Sequence, residues 1–148
     1  MGQIAGVQLT PLTQIGDERG KVMHVLKGDK ELLSTIEDIY CSVAYPGKAK
    51  AWKLHTLMTQ QLVVPQGSMR FVLYDARKES ESYQTLMELC LGEENYQRLC
   101  IPPNIWYGFS CISEQPALII NTPDLSHDPD EVLRLPDDSP DIPYSWEP

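Results

Sequence analysis

The stretch Gly47–Gly67, GKAKAWKLHTLMTQQLVVPQG, decides the fold. Two glycines bracket it. Five residues separate Gly47 from the triplet Lys53-Leu54-His55, and six separate Gln60 from Gly67. Its apolar residues mark two strands, Ala49–Thr56 and Gln61–Val64, followed by a turn at Pro65-Gln66-Gly67. Pro46-Gly47 ends the strand before it, so the stretch is a strand pair set between turns.

Working outward, the same pattern repeats. Residues 3–12 alternate around Ile4, Val7 and Leu9 and stop at Pro11, which suggests a first strand that can add to a partner's sheet. Asp17-Glu18-Arg19-Gly20 is a turn, and Lys21–Lys27 and Ile36–Tyr45 read as strands. Downstream, strands are expected at Ser68–Asp75, Thr85–Leu91, Gln97–Ile101, Tyr107–Ile112 and Ala117–Asn121. Only Gly28–Thr35 offers a helical turn. Many short strands with turn signals and no long amphipathic helix mean an all-β sandwich or barrel. Residues 122–148 differ: six prolines, eight carboxylates and one cation, Arg134, with no periodicity. Leu133, Leu135, Ile142, Tyr144 and Trp146 are too apolar for a solvated tail. The expectation is a barrel over 1–121 and an extended, Pro-rich acidic C-terminal arm over 122–148 packed on it.

At 148 residues the chain has the size of one domain. Its net charge of −9 argues against nucleic acid as the main partner, while leaving room for a small anion at a local basic cluster. No apolar run approaches the roughly 18 residues that cross a bilayer, and Met1–Leu12 lacks the features of a signal peptide. The expectation is a cytoplasmic protein without a membrane partner. The four cysteines, Cys41, Cys90, Cys100 and Cys111, form no CxxC pair and read as reduced thiols.

The Gly47–Gly67 spacing resembles the first signature of the cupin superfamily, and Pro102-Pro103-Asn104-Ile105-Trp106-Tyr107 resembles the second. That resemblance implies a double-stranded β-helix, a jelly-roll barrel. Metal-binding cupins carry two His, a Glu and a third His at four positions where this chain has Lys53, His55, Gln60 and Tyr107. An ammonium, an amide and a phenol are poor company for one imidazole, so no metal and no other cofactor is expected.

Within cupins, several pieces fall in order: Asp17-Glu18-Arg19-Gly20, Tyr74-Asp75-Ala76-Arg77 with Ser80, Ser82 and Tyr83, Ile101-Pro102-Pro103 through Tyr107-Gly108-Phe109, Pro129-Asp130-Glu131 with Arg134-Leu135-Pro136, and Ile142-Pro143-Tyr144-Ser145-Trp146. Together they resemble the dTDP-4-dehydrorhamnose 3,5-epimerase family, in its short polysaccharide and spore-coat branch. That resemblance implies a homodimer and a metal-independent epimerase of a nucleotide-linked 4-keto-6-deoxy sugar. In the family a histidine supported by an aspartate removes a proton beside the ketone, and a tyrosine opposite returns one. Aligned on the motif's arginine, Lys50 leads to Lys53 at the base position; by ring chemistry the base is His55, but the first alignment is the better one, because two residues separate cation and base in both. The tyrosine position falls on Asn121, the histidine before Gly-Phe becomes Tyr107, and the aspartate falls on Asp137 or Asp138. Arg19, Lys50 and Arg70, with Lys53, are a basic cluster for a diphosphate. Gln60 faces the ligand, and Trp52 and Trp106 are candidates to stack on a base. A lysine desolvated or set beside other cations can itself serve as a base. Two other readings fit the altered positions: a cyclase, dehydratase or ketoisomerase on the same scaffold, and a non-catalytic module binding a sugar nucleotide or acidic metabolite.

Overall fold

The computed structural model describes residues 2–147. The barrel is made of two five-stranded antiparallel sheets. The first runs β1 (Gln8–Pro11), β9 (Gln97–Ile101), β6 (Gln60–Gln66), β11 (Ala117–Asn121) and β4 (Tyr40–Ala44). The second runs β12 (Val132–Arg134), β5 (Ala49–His55), β10 (Trp106–Cys111), β7 (Ser68–Tyr74) and β8 (Leu86–Gly92). A separate hairpin joins β2 (Gln14–Asp17) to β3 (Gly20–Met23), and one short helix, α1, spans Lys30–Leu33. Among the described residues no helix is long and apolar enough to cross a membrane.

The fold is the expected jelly roll. Alternating strand residues from both sheets, among them Leu62, Val64, Phe71, Leu73, Leu99 and Ile119, meet in one buried cluster. Each such side chain contributes about 1.5–3 kcal/mol by leaving water. Proline sits where a ladder tolerates it: Pro11 on the edge strand β1, Pro65 within an irregularity where β6 carries one residue more than β11. Gly67 makes the turn by which the chain crosses from β6 in the first sheet to β7 in the second, at φ +77°, and a Cβ there would lie 2.7 Å from the Ala117 backbone. The elements differ from expectation at the amino end. Ile4 is buried in the core ahead of the strand, and β1 is shorter than expected, an edge strand over Gln8–Pro11 paired with β9. The Asp17–Gly20 turn closes a hairpin whose first strand, β2, has too few apolar residues to signal itself. Lys21–Lys27 accordingly ends as a strand at Met23.

The Tyr74-Asp75-Ala76-Arg77 piece is a clamp. Asp75, fully buried, accepts from Arg77 Nε at 2.8 Å, Ser80 Oγ at 2.7 Å and Ser82 Oγ at 2.6 Å. Arg77 and Ser82 then hold the carbonyl and amide of Ala5. Burial pushes the Asp75 pKa upward, but the hydrogen bonds from Arg77, Ser82 and Ser80 outweigh it and keep the carboxyl far below its usual range.

Residues 122–147 are ordered by the barrel. Asp124 caps the β6 end through Thr59 N at 2.8 Å, and β12 adds to the second sheet beside β5. Beyond it Ile142, Tyr144 and Trp146 cover the outer face of that sheet, against Trp52, Val72 and Tyr74. Gly108 makes room for this: a Cβ there would lie 2.5 Å from Ala51 Cβ and 2.8 Å from the Trp146 ring. Met1 and Pro148, the ends of the two expected segments, lie outside the described residues.

Candidate active site

A cavity of about 390 Å³ opens between the two sheets. That is within the range of small-molecule sites. Its walls are Met58, Leu62, Phe109 and Ile119, and its polar groups converge from five strands and the arm.

The strand β5 supplies one wall. Opposite β10, two residues from Tyr107 to Phe109 face three from Lys53 to Lys50, so β5 carries an extra residue between the cations. Lys50, Lys53 and His55 therefore all border the cavity despite their uneven spacing. Trp52 lines the cavity as well, and its indole packs 5.3 Å from that of Trp146.

His55 is the centre. It is buried, its Nδ1 is hydrogen-bonded to Glu131 Oε1, and its Nε2 lies 3.2 Å from the Tyr107 hydroxyl. Glu131 is only 2% exposed. It also accepts from the backbone N–H groups of Leu57 at 3.1 Å and Met58 at 3.2 Å. Burial raises its pKa, yet the hydrogen bonds from His55 and from those two amides win, and the carboxyl titrates below its ordinary value. An ionised Glu131 accepts from Nδ1–H, which leaves the Nε2 lone pair facing the cavity. Tyr107, stacked on His55 at 5.9 Å, is held protonated by burial and by nearby Tyr40, so it acts as a donor.

The facing wall comes from the first sheet. Asn121 on β11 stands in register with Tyr40 on β4. Its Oδ1 accepts from Gln61 N at 3.2 Å, and its Nδ2 donates to Tyr40 Oη at 2.9 Å and to Gln60 Oε1 at 3.3 Å. Burial raises the Tyr40 pKa; the Asn121 bond works against that.

At the mouth stand Lys50, Lys53 and Arg134, with exposed His127 beside them. Lys53 and Arg134 are directly paired across β5 and β12. None of the three cations is ion-paired with a carboxylate among the described residues. Desolvation, then the charges of Arg134 and Lys50, push the Lys53 pKa down.

The structure thus brings together Lys50, Lys53, His55, Gln60, Tyr107 and Asn121. Trp52 also lines the cavity. The structure places the remaining candidates elsewhere. Asp137 is exposed and outside the cavity; the carboxylate on His55 is Glu131, presented by a 3-10 turn over Pro129–Glu131 that Asp128 caps. Arg19 lies in the β2–β3 hairpin with its side chain 84% exposed, paired to Asp17 at 2.7 Å. Arg70 lies over the Trp146 ring at 5.6 Å, under the arm. Trp52 and Trp106 belong to that same outer aromatic cluster, and of the two only Trp52 also lines the cavity. Glu131, Tyr40, Arg134 and His127 were missed. The signals for Glu131 were Asp128 before Pro129, a helix start, and the quoted Pro-Asp-Glu piece. Tyr40 carried none beyond strand alternation. Cys41 and Cys90 are exposed, Cys111 is buried, and all four thiols are free. Among the described residues no three His, Cys, Asp or Glu groups converge as metal ligands.

A jelly-roll cavity with a buried His–Glu pair at its floor and free cations at its mouth defines a small-molecule enzyme of the cupin class. The profile of the family described as dTDP-4-dehydrorhamnose 3,5-epimerase matches residues 2–148, and the chain belongs to that family of sugar-nucleotide epimerases. It is 35% identical over 151 residues to the probable low-salt glycan biosynthesis epimerase Agl13 of Haloferax volcanii, covering 99% of this chain and 96% of that protein. It is 30% identical to the spore coat polysaccharide biosynthesis protein SpsL of Bacillus subtilis, covering 97% and 96%. The crystal structure of a dTDP sugar isomerase from Desulfovibrio desulfuricans superposes with a TM-score of 0.92 at 44% identity, over 97% of this chain and 92% of that one.

Proposed function

We propose that the protein epimerises a nucleotide-linked 4-keto-6-deoxy sugar without a metal, with His55 as the base. The observation that carries this reading is the His55–Glu131 pair, buried beneath a cavity with Nε2 facing in. A carbon beside a ketone loses its proton to Nε2, and the electron pair moves into an enolate. Ionised Glu131 stabilises the imidazolium so formed. Tyr107, whose hydroxyl meets the same nitrogen, turns its O–H to the ketone oxygen and takes the role of an oxyanion donor. Lys50, Lys53 and Arg134 bind the diphosphate at the mouth. The base is thus assigned to His55 rather than Lys53, because only His55 has a carboxylate behind it. The reading includes a homodimer, supported by exposed Ile15 and Val22 on the β2–β3 hairpin.

The test is incubation with dTDP-4-keto-6-deoxyglucose in deuterated water, followed by proton NMR. Uptake of deuterium beside the ketone is expected, retained in Lys53→Ala and lost in His55→Ala. No uptake with the wild-type protein would remove the epimerase reading. Sedimentation at micromolar concentration checks the dimer.

A further inference from the structure

Inversion needs a proton donor on the face of the sugar away from the base. Tyr107 does not meet that need. It is on β10, next to β5 in the second sheet, and its hydroxyl touches the base nitrogen itself. A proton returned from there goes back to the face it left. Asn121, where the resemblance places the family's tyrosine, has no acidic proton.

We propose that Tyr40 is the acid, a phenol moved one strand over from Asn121. This rests on the epimerase reading above. Three observations support it. Tyr40 is on β4 of the first sheet and borders the cavity from the wall facing His55. It is in register with Asn121 across the β4–β11 ladder, so both side chains leave the sheet on one face. The hydrogen bonds also have a fixed direction. Gln61 N–H holds Asn121 Oδ1, which turns the amide nitrogen toward Tyr40. Asn121 therefore donates to the phenol oxygen and leaves the phenolic hydrogen unused by its neighbour, free for the cavity.

The step balances. The Tyr40 O–H bond breaks and its proton forms the new C–H bond on the face opposite His55. The enolate pair supplies that bond and the ketone re-forms. The electrons of the O–H bond remain on the phenolate oxygen, where the Asn121 N–H stabilises them. Proton exchange with solvent then resets His55 and Tyr40. Asn121 acts as a positioning residue.

The experiment follows wild type, Tyr40→Phe and Tyr107→Phe with dTDP-4-keto-6-deoxyglucose in deuterated water. NMR reads deuterium in unreacted substrate and epimer separately. Tyr40→Phe is expected to keep exchange within about threefold while epimer formation falls about 100-fold or more, the scale of a lost general acid. Tyr107→Phe is expected to slow both together. Inversion at the wild-type rate in Tyr40→Phe would overturn the assignment. So would loss of exchange and inversion together in a Tyr40→Phe protein whose thermal melt is unchanged, or exchange without inversion in Tyr107→Phe. If wild type shows no exchange at all, the epimerase reading falls and this assignment with it.

Discussion

Replacing Glu131 by glutamine keeps the shape of the side chain and removes what it does. In the native site two kinds of donor converge on one carboxylate: Nδ1–H of His55 on Oε1, and the amides of Leu57 and Met58 on Oε2. Glutamine has a single acceptor oxygen. If that oxygen stays with the two amides, its NH₂ group faces His55, whose Nδ1 must then become the acceptor. The proton moves to Nε2, and the lone pair facing the cavity is gone. If the oxygen turns to His55 instead, the NH₂ group meets two N–H donors in a buried site. Leaving a buried donor unmatched costs about 1–3 kcal/mol. Either way the imidazolium loses a charge-assisted partner worth about 1.5–3 kcal/mol, or roughly 10- to 150-fold in rate. A full tautomer switch raises the loss toward the order of 10⁴ seen when an analogous carboxylate is replaced in a serine protease triad. The account therefore predicts that Glu131→Gln slows deuterium exchange beside the ketone by about 10- to 10⁴-fold, while binding of dTDP, followed by calorimetry, stays within about threefold. Exchange within threefold of wild type would refute the dyad.

Asp75→Asn should destabilise the fold by about 3–5 kcal/mol, the usual cost of breaking a buried charged network, read as a shift in the urea midpoint. Because the folded-state pKa of Asp75 lies below its unfolded value, its contribution is complete above the ordinary carboxylate pKa of about 4. It is lost as pH falls below that, so acid unfolding of Asp75→Asn should show a shallower pH dependence than wild type. Gly108→Ala drives a methyl into Ala51 and Trp146, and should lift the arm from the outer face. A red shift of tryptophan fluorescence and a loss of about 1–3 kcal/mol are expected. Lys50→Ala combined with Arg134→Ala should weaken dTDP binding about tenfold or more and flatten its salt dependence, with exchange at saturation little changed.

The barrel was legible because its signal is local. Strands at Ala49–His55, Ser68–Tyr74 and Gln97–Ile101 announce themselves by β-branched and apolar runs between Pro and Gly turns. The resemblance to the two cupin signatures indicated which strands hold His55, Gln60 and Tyr107. What was not legible depended on a count of one residue or on long-range contact. Arginine-based alignment pointed to Lys53, because the extra residue of β5 lies between Lys50 and Lys53 and alternation alone does not reveal it. Arg70 and Trp106 pack against the arm, and Trp52 packs there while also lining the cavity. Strand period two offers two faces, and only the arm's docking decides which is inside. Glu131 stood in an acidic, proline-rich segment without periodicity, and its role depends on a partner 76 residues away.

The most direct measurement is the fate of the proton beside the ketone in deuterated water, comparing wild type with His55→Ala at matched concentration. The account predicts solvent deuterium at that carbon in wild type and none above the uncatalysed rate in His55→Ala. Exchange that survives in His55→Ala and vanishes in Lys53→Ala would contradict it.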